Sequence, residues 1–96
     1  VYQREIEVIY RSNSSQFAEP VDMMITVDGE PTPPFLGVQH DSSSIQLTME
    51  LTRESHDWIK ERLSEGHCSD PRFWANAEAI VYVEIELMGT VSTKYE

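Results

Sequence analysis

His67-Cys68-Ser69-Asp70 is the most reactive-looking stretch of the sequence. A thiolate nucleophile needs a base or a positive charge beside it. Neighbours in a loop seldom point at one another, so the base would have to come from His40 or His56 across the fold. The simpler expectation is that Cys68 packs as a small hydrophobe under a helix. The three histidines, Cys68 and Asp41, Asp57 or Asp70 carry atoms that can hold zinc. No pair has the C-x2-C or H-x3-H spacing of a metal site, so neither metal nor cofactor is expected. His40 and His56 are each followed by an aspartate, but adjacency in sequence does not orient an imidazole. His40 is the better functional candidate because it is read on a loop.

Carboxylates form the second constellation. Glu84 and Glu86 are two apart in an extended stretch, as are Glu5 and Glu7. If the two stretches are neighbouring strands, four carboxylates gather on the exposed side of a sheet. General acid–base work would need a cleft that raises one pKa. On an open face the same groups make a solvated surface or a recognition surface for a basic partner.

Apolar anchors are the third. Pro31, Pro33 and Pro34 stiffen the segment before Phe35 and Leu36, so its immobilisation costs less entropy than that of a flexible loop. Trp58 and Met24 are further candidates, equally as anchors or as a homodimer seam, and the alternative for Phe35 is that it tucks into the core as the loop closes. The partner-binding set predicted from sequence is thus Phe35, Leu36, Trp58, Glu5, Glu7, Glu84 and Glu86, with no catalytic residue assigned.

Charge limits the partners. Seventeen acidic residues against seven basic ones give a net charge of −10 over 96 residues. Each half of the chain carries −5, so the excess belongs to the whole body. No Lys or Arg cluster exists to displace counterions, which disfavours direct contact with nucleic acid or an anionic membrane. A basic protein surface remains open as a partner, as does a second copy of the chain. Cys68 is the single cysteine, so no disulfide forms within this sequence. No apolar run approaches a membrane span. The chain begins at Val1 rather than Met, which leaves open a signal peptide removed before it. Cytoplasm is the expected compartment.

The elements that must position these residues follow from periodicity. Residues 77–88 read as the central strand: Ala79, Val81, Val83, Ile85 and Leu87 form one apolar row, and Ile80, Tyr82, Glu84 and Glu86 the other. Residues 1–11 alternate with Ile6, Val8 and Tyr10 inward. The polar stretch from Ser12 to Ser15 is a loop. Residues 22–28 make a second strand with Met23, Ile25 and Val27 inward. Asp28-Gly29 is a turn pair, but the prolines after it argue against a strand straight afterwards. Residues 35–38 rejoin the sheet at an edge. Residues 44–51 are a strand with Ile45, Leu47, Met49 and Leu51 inward.

Thr52 is a helix N-cap, and the helix runs from Arg53 to Ser64 and stops near Gly66. Its buried stripe is read as Ser55, Ile59 and Leu63, with Trp58 at the margin. Asp70-Pro71 looks like a second helix start, with Phe73 and Trp74 plugging the core. Gly89 ends the last strand.

The expected fold is α+β: a mostly antiparallel sheet of four to five strands (β-β-(β)-β-α-β), one long helix on one face, and a short second helix. Residues 1–89 form a single compact domain and residues 90–96 a tail. The expected function is a small acidic, non-enzymatic binding protein. An inhibitor or immunity-type protein covering a nuclease or other nucleic-acid-binding protein fits. The alternatives are a homo-oligomeric assembly component joined through Ile80, Tyr82 and Met24, and a small enzyme centred on Cys68 or His40.

Overall fold

The computed structural model describes residues 4–11, 22–64, 66 and 68–96. The elements are β1 (Arg4–Tyr10), β2 (Met23–Val27), β3 (Glu30–Pro31), β4 (Gly37–His40), β5 (Ser44–Glu50), α1 (Arg53–Ser64), β6 (Arg72–Ala75) and β7 (Val81–Tyr95). The strands form one sheet in the order β3-β2-β1-β7-β5-β4, with β6 also paired to β7. Strand β7 is the spine. Its first half lies between β5 and β6, and its second half pairs with β1.

Alternation set most of the core. Ile45, Leu47 and Met49 of β5 face the same side as Val83, Ile85 and Leu87 of β7, and all six are almost wholly buried. Ile6 and Val8 of β1 and Ile25 and Val27 of β2 extend that layer, each burial contributing about 1.5–3 kcal/mol. Helix α1 covers it. Thr52 caps the helix by accepting a 3.1 Å hydrogen bond from the Ser55 amide. Gly66 follows at φ +69°, donating its amide to the Leu63 carbonyl at 3.0 Å. The molecule measures 36 × 34 × 19 Å, the thickness of one sheet and one helix layer.

Four features correct the expected architecture. The sheet is mixed and has seven strands, because β1 and β7 run parallel while the other pairs are antiparallel. The stretch read as a tail is the second half of β7, which continues past Gly89 through Tyr95. Gly89 is where the strand changes partner, not where it stops. A Cβ on Gly89 would lie 2.2 Å from the Arg4 carbonyl oxygen, so only glycine allows β1 to come this close.

The predicted second helix is strand β6, and α1 is the one helix among the described residues. Asn76 explains why. Its Oδ1 accepts from the amides of Glu78 (2.9 Å) and Ile80 (3.1 Å), and its Nδ2 donates to the Tyr82 hydroxyl at 2.9 Å. One side chain thereby closes a β6–β7 turn, whereas a helical stretch this short would not nucleate by itself. The turn needs Ala79 at φ 64°, and β7 accordingly starts at Val81 rather than at residue 77.

Finally, Asp28-Gly29 does make a two-residue hairpin, with φ values of 53° and 84°. Strand β3 follows at once, pairing Glu30 with Val27 and Pro31 with Thr26. The Thr32 amide donates to the Ile25 carbonyl at 3.1 Å, which puts Pro31 at an outward position where no ladder donor is needed. The predicted loop from Ser12 to Ser15 lies outside the described residues.

The helix stripe also differs by one position. Ser55, Trp58, Ile59 and Arg62 are buried, while Leu63 is exposed. These four fall at i, i+3, i+4 and i+7, the spacing of one helix face. Arg62 replaces Leu63 because its guanidinium lies 5.0 Å over the Trp58 ring and reaches Glu30 at 2.9 Å. That contact ties the last turn of α1 to β3.

Candidate binding surface

The face of the sheet opposite α1 carries no second layer among the described residues. The strand registers place the side chains of Glu5, Glu7, Thr26, Thr90 and Ser92 there in one half. Gln46, Thr48, Glu50, Glu84 and Glu86 occupy the other. Glu5, Glu7 and Thr26 line a depression of about 510 Å3 with Thr90 and Ser92. Two smaller depressions of about 260 Å3 each lie beside Glu84 and Glu86, both lined by Gln39 and Gln46. The two depressions beside Glu84 and Glu86 are walled mainly by polar groups, and the one beside Glu5 and Glu7 mixes carboxylates and hydroxyls with Ile6 and Gly29.

Strands β1 and β7 are neighbours, but the four carboxylates do not meet. Glu5 stands across from Thr90 and Glu7 from Ser92, in a parallel register. Glu86 therefore lies about 13 Å along β7 from the level of Glu5. The arrangement is an acidic band along the face, not a catalytic pair.

Strand β6 adds an aromatic end to that band. Its register puts Trp74 beside Tyr82 and Arg72 beside Glu84 on the open face. The Trp74 and Tyr82 rings stack at 5.6 Å, and Arg72 Nη1 is 3.4 Å from Glu84 Oε1. Phe73, level with Val83, is on the opposite face and is 55% exposed; Trp74 is 43% exposed. These two were expected to plug the core. They do not, since α1 and the β5–β7 pair already close it, and every residue of β6 is exposed.

The predicted anchors divide. Leu36 is exposed, just ahead of β4. Phe35 is half-buried and packs against the core. Trp58 belongs to the core outright, so it offers no surface anchor. The residues proposed for a self-association face are separated: Met24 lies level with Ile9 and Lys94, whereas Tyr82 is at the far end of β7. Sequence reasoning missed Phe73, Trp74, Asn76 and Arg62. The stretch Arg72-Phe73-Trp74-Ala75-Asn76, two aromatics and then a turn-forming Asn, was the available signal for the first three.

The reactive groups are scattered. Cys68 bridges to Leu87 and packs half-buried against the core. Burial pushes its thiol up from its ordinary value, opposed by the nearby Arg4 and Arg62 guanidinium groups. A raised thiol is a poor nucleophile near neutrality. His40 lies on the same row of the sheet, three strand spacings or about 14 Å away. Its Nε2 is 3.1 Å from the Tyr10 hydroxyl. Burial raises the Tyr10 phenol, and Tyr95, stacked at 5.2 Å, raises it further. Backbone and side-chain hydrogen bonds from Ser43, with the Ser44 amide, hold the Asp41 carboxyl below its usual value and fix the β4–β5 turn. His56 sits exposed on α1 with Asp57 at 3.7 Å. His67 lies outside the described residues. Among the described residues no group of three or more His, Cys, Asp and Glu side chains could hold a metal. No helix among them is long and apolar enough to cross a membrane.

Comparison with known protein families, curated proteins and solved structures finds no match to this chain.

Proposed function

We propose that this chain is a non-enzymatic binding module that docks the open face of its sheet on a basic protein surface. An inhibitor or immunity-type role fits, in which carboxylates occupy the positions that phosphates would take on a nuclease or nucleic-acid-binding partner. One observation carries the reading. The sheet face opposite α1 carries Glu5, Glu7, Glu50, Glu84 and Glu86 and ends in the Trp74–Tyr82 stack; only towards its other end, at Ile9, does a side chain of this face become buried. The net charge of −10 supports steering toward a basic partner. The scattered Cys68, His40 and His56 supply no joint catalytic geometry.

Two charge-matched variants test it against a basic nuclease. Glu84→Gln/Glu86→Gln removes two charges from the open face, and Glu54→Gln/Asp57→Asn removes two from exposed positions on α1. The first pair is expected to weaken binding about tenfold and the second to leave it near the wild type. Affinity should also fall as salt rises from about 50 to 500 mM. Equal losses for the two pairs would reject the open face as the contact surface.

A further inference from the structure

Strand β6 is an edge with unusual properties. Among the described residues it pairs with β7 alone. Hydrogen-bond parity shows which of its groups face outward. The Asn76 amide donates to the Ile80 carbonyl at 3.1 Å, and the Ser69 amide to the Glu86 carbonyl at 2.9 Å, so even-numbered β7 residues bond toward the β6 side. The register then turns Arg72 and Trp74 toward β7 and leaves the N–H and C=O groups of Phe73 and Ala75 pointing away. Those groups are the template an added strand needs. At the β3 edge, by contrast, Pro31 withholds a donor.

Side chains make β6 more than a bare edge. Phe73 stands on one face and Trp74 on the other, both exposed, so an extended segment laid alongside meets an aromatic anchor whichever way its side chains alternate. Charge chooses the occupant. Glu84 lies beside the arm and engages its Arg72, Glu78 is in the turn that follows it, and Glu50 stands on the far side of Tyr82. A second copy of the chain would bring these carboxylates against their own kind. A Lys or Arg side chain would instead lie on the exposed indole of Trp74, with carboxylates beyond it.

We propose that β6 takes up an extended basic segment of the partner protein as an added strand, with Phe73 and Trp74 as its anchors. This rests on the docking reading above and supplies its mode of contact.

The test is amide hydrogen exchange on the whole chain with two short probe peptides, one of alternating Val and Lys, the other of alternating Val and Glu. The Val-Lys peptide should slow exchange at the Phe73 and Ala75 amides about tenfold or more, and the Val-Glu peptide should not. Ala75→Pro removes an outward donor without touching a β6–β7 bond, and should abolish the protection at Phe73. Phe73→Ala, a change on an exposed side chain, should weaken peptide binding in a chain that folds normally. Salt-sensitive binding of the Val-Lys peptide without protection at β6 overturns strand addition and leaves the docking reading standing. No binding at about 1 mM overturns strand addition, while the docking reading stands or falls with the charge-matched variants. Equal protection by the Val-Glu peptide overturns the basic occupant. Protection of Phe73 and Ala75 by self-association, without peptide, overturns it in favour of a second copy.

Discussion

Strands β5 and β6 flank the same half of β7, one on each side, yet they are held by different physics. In β5 every second side chain is buried under α1, and the strand cannot slip by one residue without exposing Ile45, Leu47 and Met49. In β6 no side chain is buried, and its place is fixed by a backbone ladder and by Asn76 at the turn. Burial makes a rigid scaffold, whereas a strand with no buried side chain leaves Phe73 and part of Trp74 open to contact something else, even with Trp74 stacked on Tyr82 and Arg72 paired with Glu84. That is the division of labour expected of a body and a recognition arm.

The largest effect that would sharpen this contrast is in the body. Gly89→Val should abolish folding or cost more than about 4 kcal/mol in chemical denaturation, because β1 must retreat from the new Cβ. Retained stability would mean that the β1–β7 pairing is not as close as described. A paired comparison comes next. Leu47→Ala should cost about 2–5 kcal/mol, and Phe73→Ala on the arm within about 0.5 kcal/mol. Similar losses at the two sites would erase the distinction between body and arm.

Smaller still is Asn76→Ala, expected to cost about 1–2 kcal/mol. Its signature is local: faster exchange at Glu78 and Ile80, with the β5 amides unchanged. Uniform acceleration would show that arm and body open together. The mildest effect is alkaline. Tyr10 has a folded-state pKa raised above its ordinary 10.0, so the native state holds its proton longer than the unfolded chain does. Its contribution is intact below about pH 10 and is lost as pH climbs through the folded value. Tyr10→Phe should flatten stability across that window. An unchanged slope would assign the loss to other groups, including the raised Cys68 thiol.

The same contrast explains what could be read from the sequence. The core rows of β1, β2, β5 and the first half of β7 were legible because burial writes a period of two into the side chains. Helix α1 was legible through Thr52 at its start and Gly66 after its end. Strand β6 was not, since an exposed strand carries no alternation and Asp70-Pro71 imitates a helix start. The second half of β7 was hidden by Gly89, where a close approach of backbones looks like a terminator. Pro31 misled in the same way: pairing with β2 needs a donor only at the inward positions. The acidic character of the surface was legible in composition. The spacing of its carboxylates was not, because that depends on a parallel register nothing local encodes. Arg62 was passed over as a charge, though its place in the i, i+3, i+4, i+7 set was there to be read.

The most direct measurement is amide hydrogen exchange on the free chain. The Phe73 and Ala75 amides should exchange close to the rate of an unprotected amide, beside strong protection at Val83 and Ile85 of β7. Protection at Phe73 and Ala75 equal to that of the β7 core would show the edge closed, and would contradict a recognition arm.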